Sequence, residues 1–143
     1  DADASFKLCW GSNPAQDSDF AYYVGSLFLV GPILGQDRQC TVGLACVLST
    51  FVGQSLSTND VIAFVSDSAE CGMGDRDPLI ASNSYRPLTS LLEIHLSATD
   101  LPVGGVWRIC YCTASLGGCD DGSDFQTEAG LLTVVGPDDL HQD

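Results

Sequence analysis

The chain of 143 residues is short of positive charge, with five Lys and Arg against 19 Asp and Glu and a net charge of −14. A phosphate backbone is bound by clustered basic side chains. Lys7, Arg38, Arg76, Arg86 and Arg108 are scattered along the sequence, so no nucleic-acid partner is expected. Long apolar runs are missing too, since none approaches the roughly 18 residues of a membrane-crossing helix, and no membrane partner is expected. The three asparagines stand in N-P-A, N-D-V and N-S-Y, and there is no N-x-S/T acceptor. Any sugar would be O-linked, with Ser and Thr of 12–18, 55–58, 82–90 and 113–115 as candidates. Histidine occurs twice. His141 lies in the acidic tail PDDLHQD, while His95 shares the polar side of LLEIHLS with Glu93 and Ser97. Residues two apart on a strand stand about 7 Å apart and point in parallel, which does not make a hydrolytic triad. The chain reads as a non-enzyme. No basic, apolar leader precedes Asp1, which fits a mature secreted product, although a trimmed chain would look the same.

Cysteine, by contrast, occurs seven times beside a single Met. That usage points to an oxidising, extracellular setting in which disulfides persist. Zinc is the rival reading, centred on Cys110-x-Cys112 and Cys119, but no nearby His or fourth thiol completes a tetrahedral set. No cofactor is expected. The acidic loops CDDGSD (119–124) and GDRDP (74–78) are candidates for Ca²⁺ because they gather carboxylates beside glycine. Neither has the full spacing of a calcium loop, and Asp-Gly clusters also make ordinary turns.

The rest of the pattern is β. DVIAFVSD (60–67), LLEIHLSATD (91–100), VGGVWRICYC (103–112) and EAGLLTVVG (128–136) are short runs rich in Val, Ile and aromatics, bounded by turn residues. CTVGLACVLSTFVG (40–53) adds another strand or two, and Ser66 to Ser90 reads as a long loop with one short edge strand. No window holds a helical apolar stripe over three turns, so the chain is expected to be all-β: an immunoglobulin-like sandwich of about seven strands.

One stretch occurs twice. SFKLCWGSNPAQDSDFAYYVGSLFLVGP near the start matches VWRICYCTASLGGCDDGSDFQTEAGLLTVVGP near the end. Cys9 and Cys110 are offset by 101, whereas Phe20 and Phe125, Gly25 and Gly130, and the two Gly-Pro pairs are offset by 105. Such a period is about one immunoglobulin-like domain, whose last two strands form a hairpin. Residues 1–32 therefore read as an extra hairpin, or docking arm, ahead of one complete unit at 33–137, with 138–143 as an acidic tail; the rival reading is that 1–32 is the remnant of a preceding domain of a longer tandem array. Alternation places Trp107, Ile109 and Tyr111 on one face and Arg108, Cys110 and Cys112 on the other. Cys112 and Cys119 are both absent from the first copy, where Gly11 and a cysteine-free loop stand instead, which suggests that they pair with each other. The pairing of Cys40, Cys46, Cys71 and Cys110 stays open. Six cysteines in 33–137 leave Cys9 as the odd one, free or bonded to another chain.

The Cys-aromatic-Cys motif, the loop with a further Cys, the Phe and G-x-L-x-V-x-G-P, together with CTVGLAC (40–46), Gly53, Asp60 and Cys71-Gly72, resemble the cysteine-rich immunoglobulin-like repeats of secreted and surface proteins of protists. The resemblance implies a structural role like that of components of surface coats, flagellar hairs and glycan-covered extracellular fibrils. Gly11 departs from the motif in the first copy. Two function classes follow. The first is a subunit of an extracellular filament, a homopolymer of identical protomers joined head to tail through Phe6, Leu8, Cys9, Trp10 and Tyr22, with O-linked glycans as further partners. The second is an adhesion or glycan-binding module using the 66–90 loop, with Tyr85 and Arg86 as contacts.

Overall fold

Short runs rich in Val, Ile and aromatic residues, bounded by turn residues, become the strands of the chain. In the computed structural model, which describes residues 5–73 and 85–136, the strands are β1 (Ser5–Trp10), β2 (Tyr22–Phe28), β3 (Gly31–Pro32), β4 (Arg38–Thr41), β5 (Cys46–Leu48), β6 (Gly53–Gln54), β7 (Val61–Ser66), β8 (Arg86–Pro87), β9 (Ile94–Leu96), β10 (Gly105–Cys112) and β11 (Thr127–Val135). No α-helix occurs among the described residues. A curled, mixed sheet runs β4-β11-β10-β7-β8, in which β4 lies parallel to β11 and the other neighbours are antiparallel. Three further ladders, β1-β2, β3-β6 and β5-β9, have two strands each.

β10 is buried on both faces. Trp107, Ile109 and Tyr111 join Ile62, Phe64, Leu132 and Val134 in the main core, which Leu48, Phe51, Ile94 and Leu96 complete. On the reverse face Cys110 and Cys112 pack with Ala63, Val65 and Phe125 in a second, smaller core. Tyr85 closes that side by stacking on Phe125, with ring centroids 4.5 Å apart. The base on this face is used as well: Arg108 pairs with Glu128 at 2.6 Å and donates to the carbonyls of Asp67 and Ala69, which fastens the turn after β7.

Three disulfides brace these layers: Cys40–Cys46, Cys71–Cys110 and Cys112–Cys119. The last is the pair singled out by its absence from the first copy. Three bridges within one chain fit an oxidising, extracellular setting. Their chain-entropy effect grows with the loop they close, and the separations are 6, 39 and 7 residues respectively. Replacing Cys71 and Cys110 together by Ser is expected to cost about 4 kcal/mol, against about 2 kcal/mol for either short-loop pair. Denaturant unfolding of the three double variants measures the order.

Asp60 is a buried junction. Its carboxylate accepts from the Tyr111 hydroxyl at 2.6 Å, from the Ser57 amide at 2.8 Å and from the Ala114 amide at 2.9 Å, so it ties the entry of β7 to the exit of β10. Burial, and then the hydrogen bond and charge of Asp60, push the Tyr111 phenol far above its ordinary value. The folded state thus keeps this proton at a pH where the unfolded chain has released it. The resulting stabilisation is complete below the unfolded tyrosine value of about 10 and declines as pH rises beyond it. Tyr111→Phe should cost about 2 kcal/mol at neutral pH. The gap between parent and variant should narrow above about pH 10, as thermal melts across that range would show.

Candidate functional site, an exposed apolar hairpin

β1 and β2 form an antiparallel hairpin in which Phe6 faces Leu27, Leu8 faces Gly25 and Trp10 faces Tyr22. The ladder slips between Leu8 and Cys9. In β10 and β11, Trp107 faces Leu132 and Ile109 faces Gly130, and the ladder slips between Ile109 and Cys110, the equivalent place at an offset of 101. The loops match as well. Asp19 accepts the amides of Ala15 and Gln16 around the turn Asp17–Asp19, as Asp124 accepts those of Asp120 and Asp121 around Gly122–Asp124. Gly31 and Gly136 both adopt positive φ, +140° and +150°, a region that favours glycine. The sequence repeat is thus a repeat of register, bulge and turn.

Surroundings differ where geometry agrees. Trp10 is 53% exposed and Leu27 43%, whereas their equivalents Tyr111 and Leu132 are 1% and 0% exposed. Phe20 is exposed, while Phe125 is buried against Tyr85. β1 is exposed along its whole length, β2 everywhere except Gly25, and among the described residues no ladder joins either strand to a third. The chain joins the body just beyond, where β3 pairs with β6 and the Ile33 amide donates to Val52. Gly31 and Pro32 therefore belong to the body, and the free hairpin ends before the boundary at residue 32 that the repeat suggests.

Phe6, Leu8, Trp10 and Tyr22 share one face, on which the rings of Trp10 and Tyr22 lie 6.2 Å apart. Cys9 points to the other side and is a free, exposed thiol. Tyr23, Val24, Phe28, Leu29 and Leu34 widen the apolar surface beyond the five expected residues. The uninterrupted run YYVGSLFLV already carried that signal, because a strand with one solvated face would alternate. Gly11, the departure from the Cys-aromatic-Cys pattern, has a local cause: a Cβ there would collide with the carbonyl oxygen of Asp19.

Other candidate residues are occupied structurally. Within 119–124, Asp124 is taken up by the two amides already named and Asp121 by that of Ser123, so these carboxylates shape a turn; the other calcium candidate, 74–78, lies outside the described residues. His95 meets Glu93 at 3.2 Å on the exposed strand face, but the Ser97 hydroxyl turns to Asp100 and Thr99. Arg86 pairs with Asp100 at 2.7 Å, and Tyr85 faces inward on Phe125. A groove of about 330 Å³ beside Val30 and Thr113 holds the same Asp124.

Native-state alkylation should add one label per chain, at Cys9, and none at the six bridged cysteines; mass mapping that found Cys9 unreactive would contradict the geometry. Compared with models of protein families, with curated proteins and with solved structures, the chain matches none, and its functional reading rests on the hairpin itself.

Proposed function

We propose that the protein is a structural module of an extracellular, disulfide-braced assembly, in which the β1–β2 hairpin of one unit contacts the next and so builds a filament. The observation that carries it is the hairpin's exposure on both faces. Soluble chains rarely leave so contiguous an apolar surface, and unpaired edges are normally blunted by charge, proline or cover. Here the only ionisable side chains on the two strands are Lys7, Cys9, Tyr22 and Tyr23. A contact between such a hairpin and a different surface of a neighbour is heterologous, and it propagates instead of closing a dimer. The layered core, the cysteine pattern and the resemblance to protist surface repeats support an immunoglobulin-like unit, a secreted location and O-glycosylated loops. The adhesion alternative receives less support, since Tyr85 and Arg86 are engaged in the fold.

Like charge opposes such contacts. At −14 per chain, repulsion reaches farther than the contact itself in dilute buffer, where the Debye length is about 30 Å at 0.01 M salt, and is screened to under about 10 Å above 0.1 M. Sedimentation velocity should therefore show association that grows with protein concentration and with salt. Leu8→Ser with Trp10→Ser should abolish it while leaving the melting temperature of the body unchanged, because both side chains are exposed. A parent chain that stays monomeric at about 1 mM, where even a weak contact worth about 4 kcal/mol would register, defeats this function.

A further inference from the structure

Each feature of the hairpin has a counterpart in the second copy, and there each counterpart has a partner. Gly130 lacks a side chain because the backbone of Gln36 lies against it: a Cβ would come within 2.5 Å of the Gln36 carbonyl, and the Gln36 amide donates to Ala129. Gly25 occupies the same position, and among the described residues a Cβ there would meet nothing within 4 Å beyond its chain neighbours. Cys110 is bridged to Cys71 in the turn after β7, whereas Cys9 is free. Tyr111 donates to Asp60; at its place stands Trp10, whose indole is also a donor. The outer edge of β10 is taken by β7, antiparallel, and that of β11 by β4, parallel. Among the described residues, no strand pairs with the outer edge of β1 or of β2. The hairpin therefore carries a cradle, a thiol and two edges, each shaped for a segment that the second copy already holds.

We propose that the β1–β2 hairpin is the closing hairpin of a second unit of this fold, and that its partner is a chain segment patterned like residues 33–101 that has no closing hairpin of its own. The proposal rests on the hairpin being a contact surface and assigns it a further occupant, different from the surface of an intact neighbour through which whole chains associate. By equivalence, Leu8 faces the partner's counterpart of Phe64, Cys9 that of Ala63 and Trp10 that of Ile62, while Leu27 and Leu29 run beside the counterparts of Arg38 and Cys40. Phe6, Leu8, Trp10 and Leu27 enter the partner's core, and a Gln36-like backbone fills the space over Gly25. Cys9 forms a disulfide with the counterpart of Cys71. In a glutathione buffer the two thiols lose two electrons and two protons to one glutathione disulfide, which leaves as two reduced thiols. A complete second copy does not offer these edges, because its own β10 and β11 hold them.

The test places residues 33–101 directly before Asp1 of the full chain. This reproduces the spacing between Leu101 and Trp107 as that between the added Leu101 and Phe6. After refolding with reduced and oxidised glutathione, all ten cysteines of the fusion should be paired, with Cys9 linked to the added Cys71. Cys9 alkylation should fall from one label per chain to none, and Trp10 should lose acrylamide quenching. Leu8→Ser with Trp10→Ser in the fusion should restore Cys9 labelling, with the bridges of residues 33–136 intact. The proposal is overturned if Cys9 stays reactive and Trp10 quenchable, or if Cys9 pairs with a cysteine other than the added Cys71. Should the unfused chain still self-associate through Leu8 and Trp10 in that case, the hairpin remains an assembly surface and only its assigned partner is wrong.

Discussion

A strand buried on both faces needs cover from both sides, and β10 is that strand here. Its alternation sends three large side chains into the main core and two cysteines into the smaller one. Everything around it answers that double demand. β11 and β7 satisfy its two edges, and the β5–β9 ladder covers one face. The other face is covered by the turn after β7 and by the 112–125 loop, each held by a disulfide that starts on β10 itself. Loops are poor cover because they bury few apolar atoms. Covalent bridges offset that weakness, and this gives a physical reason for cysteines on the face that carries the base.

Much of this was legible in the sequence. The β class, the division of faces in 106–112 and the pairing of Cys112 with Cys119 all follow from period-two alternation and from comparing the copies. Strand lengths were not legible. LLEIHLSATD yields only a three-residue strand, because Leu92 takes a positive φ and Asp100 ends a tight turn with its carboxylate on the Ser97 amide. Nor was the role of Asp60 visible: a lone Asp before a strand looks like a turn residue until Tyr111 and Ala114, more than 50 positions away, close on it. The hairpin was visible as a copy. That its core face stands bare in the single chain depends on what does not pack there, which alternation alone does not specify.

The few bases are spent in a consistent way. Arg38 lies over the Phe51 ring and donates to carbonyls of Asp37, Ser49 and Thr50; Arg86 meets Asp100; Arg108 meets Glu128 and two carbonyls. Each pins a loop to a sheet, where a guanidinium can satisfy several acceptors at once. With 19 acidic residues against five basic ones, like charge acts between copies of the chain at long range. The two strands of the apolar hairpin carry no carboxylate, so like charge is absent along them.

Lys7 fits that logic from the other side. It stands at the position of Arg108, next to Cys9 on the strand that has no third neighbour, and among the described residues it has no acceptor. In the complete unit the base at this place reads two carbonyls of the turn that also carries Cys71. A base and a thiol on one side, and aromatic residues on the other, make up the double-faced pattern of β10, in a strand that β2 alone accompanies. In β10 both halves of that pattern are buried, in two separate cores, whereas β1 is exposed along its length. The same alternation is thus met by burial in one strand and by solvent in the other, so the pattern of a strand does not by itself decide its surroundings.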